Sequence, residues 1–203
     1  MNWQEFVALL VLATAMSFTP GPNTTLSTAI AANHGFRRAL PFACAVAAGW
    51  GVLLTLCAWG LGALVLAVPL LSLAIKMVGV AYLLWLALRL ARSSALSDAD
   101  AKRLRIGFWQ GAALQFVNIK AWMLALAIVS GWIAGHADWV QRLIVVLPIM
   151  MFYALSSNVT YALAGSLLRN WLSGPAGTGR RLRIFNSLMA AVLTVTAIWM
   201  LML

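Results

Sequence analysis

A chain of 203 residues that is 64% hydrophobic and 9% charged cannot coat a soluble surface, which takes about 25% charged residues, so lipid must be the solvent for most of it. The net charge of +10 would suit nucleic acid on a soluble protein. Here the bases fall between hydrophobic runs rather than on an aromatic-interleaved face, which excludes a nucleic-acid partner.

The N-terminus, Met1-Asn2-Trp3-Gln4-Glu5, lacks a basic stretch, and no small-residue cleavage site follows it. It is therefore expected to stay as a span rather than leave as a signal peptide. A spanning helix needs about 20 mostly apolar residues. Six stretches qualify, at 3–33, 39–66, 70–91, 107–131, 140–168 and 184–203. The expectation is an all-α integral membrane protein, a single transmembrane domain over residues 1–203 with no soluble module.

The first span contains TPGPN at residues 19–23, two prolines and a glycine that should break a helix. The second carries small residues at Ala45, Gly49 and Gly51, which let helices approach closely within one chain or between copies, so a homo-oligomer stays open. Cys44 and Cys57 lie in the same run with neither metal spacing nor a disulfide framework, and read as small packing residues. Val68-Pro69 joins the second and third spans so tightly that they are expected to be antiparallel neighbours. The longest early polar connection, SSALSDADAKRLR, fills about 92–106, and SGPAGTGRRLR precedes the last span.

Basic residues separate the two sides. Odd-numbered connections hold Arg37 and Arg38, then Arg89, Arg92, Lys102, Arg103 and Arg105, then Arg169, Arg180, Arg181 and Arg183. Even-numbered connections offer Lys76 and Arg142 alone. Positive residues stay on the cytoplasmic side, so both termini are expected outside. Trp3, Trp109, Trp132, Trp139 and Trp171 fall near span ends, as interfacial Trp does, while Trp50, Trp85 and Trp122 fall deeper.

Lys120 is the most informative residue. It lies about 13 positions into the fourth span, roughly 20 Å along a helix, where a charged lysine costs about 2.5–3.5 kcal/mol. That depth predicts a cation facing a watery cavity inside the bundle. Asn118, Asn158 with its neighbours Ser156, Ser157, Thr160 and Tyr161, Tyr82, and Asn23, Thr24 and Thr25 reach a similar level. Such groups commonly glue helices together, but here four spans bring them to one depth. Broken backbone at membrane depth is tolerated where it is buried in protein or lines a cavity. A helix restarting at Pro22 loses no hydrogen bond to its proline, and aims free amides and a positive dipole end into that cavity. The candidate substrate-binding set is therefore Pro20, Gly21, Pro22, Asn23, Thr24, Asn118, Lys120, Asn158 and Tyr82. A zwitterion's carboxylate would meet Lys120 and the helix start, leaving Asn118, Asn158 and hydroxyls for its ammonium and side chain.

FTPGPN in the first span and FVNIKA in the fourth are placed alike. They divide the chain into half-repeats of about 1–92 and 106–203, each with three spans. An odd number of spans inverts one half relative to the other, the arrangement in which interrupted segments mark a transporter's site.

TPGPN, the following GFRRALP, AYLLWLA in the third span and QFVNIKAW in the fourth together resemble the LysE/RhtB family of bacterial amino-acid exporters, across nearly the whole chain. The layout is most similar to the branch that exports cysteine and O-acetylserine. The resemblance implies a multi-pass inner-membrane protein exporting small amino acids of the cysteine, O-acetylserine and threonine/homoserine class, driven by protons and without a cofactor. It places the family's TPGP motif on Thr19, Pro20, Gly21 and Pro22, and its Asn-Pro-Lys-Ala motif on Asn118, Ile119, Lys120 and Ala121. Ile119 stands where that motif has proline, which leaves the fourth helix free to run continuous. Gly49-Trp50 lacks the acid that many relatives carry in the second span.

Indeed no acid lies deep in any span: Glu5, Asp98, Asp100 and Asp138 sit near ends or in loops. Lys120 is then the candidate for proton coupling, since desolvation and a nearby carboxylate shift its protonation in opposite senses. His34 lies near the cytoplasmic mouth and reads as interfacial. The missing acids favour neutral amino acids over lysine or arginine, and leave no ligand set for a metal. They also remove the embedded acid–base pair that an intramembrane enzyme would need. A channel or accessory subunit without a transport cycle, and an exporter of another small metabolite, stand as alternatives.

Overall fold

The computed structural model describes residues 1–93, 106–173 and 179–202. Most of the 92–106 connection, with Asp98, Asp100, Lys102, Arg103 and Arg105, lies outside them. Helix α1 (Trp3–Phe18) opens on a reciprocal cap: Glu5 N–H donates to Asn2 Oδ1 at 2.8 Å and Asn2 N–H to the Glu5 carboxylate at 2.9 Å. It stops where Thr19 turns extended, and α2 (Pro22–His34) restarts on Pro22 with its axis bent by 50°. Gly35, at φ 87°, makes the left-handed turn into α3 (Phe36–Ala58). Next come α4 (Leu61–Ala67), α5 (Pro69–Ala91), α6 (Phe108–Val117) and α7 (Ile119–Ile128), which runs into a π turn at Val129–Ile133. Helices α8 (Trp139–Ser173) and α9 (Arg180–Met202) complete the chain.

Helices α3, α5, α8 and α9 are each long and apolar enough to cross a bilayer, and counting each of the two bent pairs as one span gives up to six. Three expectations need correcting. The second span does not run to residue 66: Gly60, at φ 104°, ends it and α4 is a separate short helix. The tight turn at Val68 therefore joins α5 to α4, and α5 packs chiefly on α9 and also on α6 rather than lying along α3. The fourth span is not continuous despite Ile119, since α6 and the segment from Ile119 to Ile133 meet at 69° across Asn118.

The spans close-pack through three glycines, each facing another helix's backbone. Gly49 of α3 lies on Ala112 of α6, Gly79 of α5 on the Val117 carbonyl, and Gly165 of α8 on the Thr28 carbonyl of α2. Any Cβ added there would collide with main chain. The small stripe of α3 is thus spent within the chain: Ala45 faces Gly111, and Gly51 faces Met151.

The two ends of the bundle differ. One gathers the C-termini of α2, α5 and α8 with the N-termini of α3, α6 and α9, and carries Arg37, Arg38, Arg89, Arg92, Arg169, Arg180, Arg181 and Arg183. Arg89 and Arg181 lie over the rings of Trp85 and Trp171. Buried Asn33 and Asn186 exchange amide hydrogen bonds at 2.8 and 3.0 Å, and Asn186 also donates to Ser93 O. Ten of the thirteen residues of α2 are buried here, against two of sixteen in α1 at the opposite end. At that end Arg142 donates to Asp138 at 3.0 Å and to Glu5 at 3.2 Å. Its hydrogen bond to Asp138 holds that carboxyl below its ordinary pKa.

Candidate functional site

The break after α1 leaves carbonyls without helical partners, and side chains from other helices take them. Phe18 O accepts from the Tyr161 hydroxyl of α8, and Thr19 O accepts from Lys120 Nζ of α7, both at 2.8 Å. Lys120 thus caps the negative end of α1. Its chain lies on bare Gly21, where a Cβ would sit 3.3 Å from Lys120 Cδ and 3.4 Å from Nζ. Gly21 N–H is returned to the Thr24 hydroxyl at 3.0 Å. The amides of Asn23 and Thr24 then begin α2 with no helical carbonyl behind them.

The second break is built alike without a proline. Asn118 adopts φ −92°, ψ 101°, and its carbonyl receives the amides of Ala121 and Trp122. The Trp122 indole reaches back to Phe116 O at 2.8 Å, while Val117 O lodges against Gly79. Lys120 is therefore a cation in the first turn of α7, an unfavourable place beside the positive end of its own helix unless an anion or carbonyl is near.

Between the two breaks lies a partly open cleft. Ser17 and Thr19, Gly21 through Thr24, Asn118 and Lys120, and Ser157 and Asn158 give it a polar side. Val46, Trp50, Leu124 and Met150 give it an apolar one. Of the residues expected at the site, Gly21, Pro22, Asn23, Thr24, Asn118, Lys120 and Asn158 come together here. Pro20 is exposed in the break and does not line the cleft. Tyr82 stands apart on α5, stacked on Trp85 at 5.5 Å.

Their side chains are unequally available. Asn23 exchanges hydrogen bonds with Gln115 of α6 at 2.8 and 3.2 Å. Asn158 accepts from Ser27 at 2.7 Å and donates to Ala154 O at 2.8 Å. Both asparagines therefore strap helices together. Asn118 Oδ1 is buried without a partner. Trp50 also lines the cleft, while Gln115, Ser27 and Tyr161 hold Asn23, Asn158 and the Phe18 carbonyl around it. Ser27 lies one helical turn after Asn23 on the same face of α2, but the partners that it and Gln115 take on other helices are not legible in the sequence.

The family model for the LysE type translocator matches residues 14–203. The chain belongs to that family. As a LysE type translocator it moves a solute across the membrane rather than transforming it. Among curated relatives, the cysteine/O-acetylserine efflux protein of Salmonella typhimurium (strain LT2) is 32% identical over 173 residues, 85% of this chain and 87% of its own length. That of Escherichia coli (strain K12) is 31% identical over 179 residues, 88% of each chain. No solved structure matches the translocator significantly.

Proposed function

We propose that this translocator exports small neutral amino acids or their derivatives, of the cysteine, O-acetylserine and threonine/homoserine class, from the cytoplasm on a proton gradient. One observation carries the reading: Lys120 faces the cleft at the start of a half-helix, with no acid beside it among the described residues. The described acids, Glu5 and Asp138, are both bonded to Arg142 at the far end. A substrate carboxylate would replace Thr19 O on Lys120 and meet the amide start of α2. The substrate ammonium would go to the idle Asn118 oxygen. Trp50 and Met150 would pack a short neutral side chain, and a lysine or arginine side chain would find no counter-charge. The names of the relatives support small neutral cargo.

Asn23 and Asn158 position the helices around this cargo, while Gly21, Pro22 and Thr24 shape the α2 start. Lys120 is the proton-coupling group of this reading: burial disfavours its charged form and a substrate carboxylate favours it, which links proton occupancy to cargo occupancy. The basic end faces the cytoplasm and the termini face out. The two bent pairs open inverted three-span halves, an assignment supported by their matching interruptions.

The test offers labelled cysteine, O-acetylserine, threonine, homoserine and lysine to energised inverted vesicles, whose outer face is the cytoplasmic one, and follows uptake with and without a protonophore. Transport of the neutral substrates, not lysine, and its loss with the protonophore are expected. Lys120→Met raises the half-saturating concentration at least about tenfold, since a charge-assisted hydrogen bond contributes about 1.5–3 kcal/mol. Wild-type affinity and pH dependence in that variant would overturn the role of Lys120. Uptake indifferent to the protonophore would overturn the coupling.

A further inference from the structure

On the flank away from the cleft, α4, α5 and α7 leave a groove. Val65 and Leu66 of α4, Ile75 of α5, and Trp122, Met123 and Leu126 of α7 make its walls apolar. Ser72 and Lys76, one helical turn apart on α5, are its polar groups. The surrounding surface belongs to the bilayer, because Leu66, Leu73, Met77 and Met123 are all exposed apolar side chains. Lys76 lies seven residues into α5, roughly 10 Å below its start. It forms no ion pair among the described residues, whose acids both bond Arg142.

We propose that this groove binds one anionic phospholipid, with its phosphate on Lys76 and Ser72 and an acyl chain along the apolar walls. An unpaired ammonium inside the hydrocarbon region is unfavourable, and a lysine near a span end extends its head toward the interface. The anion available at that level is a lipid phosphate. Inorganic phosphate would satisfy the charge but leave the apolar walls unfilled, whereas a phospholipid has both parts in the order the groove presents them. The same half-helix that carries Lys120 to the cleft forms the groove wall through Ile119, Trp122 and Met123. A bound lipid therefore braces the first turn of α7 from behind.

The full-length protein in detergent is examined by native mass spectrometry with phosphatidylglycerol and phosphatidylcholine of identical acyl chains. Selective retention of phosphatidylglycerol is expected, undisturbed by inorganic phosphate. Lys76→Gln lowers that retention about fivefold, the worth of one lysine toward an anionic lipid, and Lys76→Arg restores it. Met123→Trp fills the groove, leaves Lys76 in place and lowers retention of the lipid too. Equal retention of both lipids, or an unchanged Lys76→Gln variant, overturns the proposal. So does displacement by inorganic phosphate, or a lipid-free dimer closing the groove.

Discussion

Thr19–Gly21 and Asn118 interrupt two helices within one lysine's reach of each other, yet only the first interruption is made of helix-breaking residues. Pro20, Gly21 and Pro22 would break a helix in almost any surroundings. The second break has neither proline nor glycine between Gln115 and Trp122. It is held by neighbours: the Trp122 indole takes the Phe116 carbonyl, and Gly79 on another span makes room for Val117 O. A buried break needs somewhere for its orphan carbonyls to go. Where other helices supply that, the local sequence need not announce it.

The sharpest way to break this comparison is Gly79→Ala. Its methyl group would strike the Val117 carbonyl, a backbone atom that cannot step aside. Destabilisation at or above the upper end of about 1–3 kcal/mol is expected, read as loss of monodisperse protein after mild heating. Trp122→Phe keeps a ring but leaves Phe116 O without its donor, which should lower stability by about 1–3 kcal/mol in the same measurement. Gly21→Ala should differ in kind. Its Cβ meets only the flexible Lys120 chain, so stability should fall by less than about 1 kcal/mol while transport declines as Lys120 leaves Thr19. Equal heat sensitivity in the Gly21 and Gly79 variants would erase the contrast between the two breaks. The smallest effect belongs to Ile119→Pro. Asn118 already has the extended backbone that precedes a proline, and Ile119 is the first residue of α7. A change within about 1 kcal/mol is expected, and a larger loss would mean that the Ile119 amide does something no proline can.

The sequence announces what lipid makes costly. Bilayer solvent follows from the few charges, the first break from its prolines, and the cavity from the depth of Lys120. Properties set between helices are less legible. Depth along a helix does not say which face a residue presents, so Tyr82 was expected at the site and instead stacks on Trp85. Nor does Asn23 or Asn158 announce that Gln115 and Ser27 wait opposite. The separation of α3 from α5 turns on one residue, Gly60, whose left-handed backbone cuts off α4 and redirects the chain.

The backbone contacts at Gly49, Gly79 and Gly165 bear on the motion that the proposed export would need. Rotating a side chain cannot open a seam in which main chain touches main chain, so any export cycle that opens it would part those helices as rigid bodies. Motion of that kind is all-or-nothing, which suits a machine that must never be ajar on both sides at once. A single methyl group wedged into the seam would act as a doorstop, holding the helices apart for good.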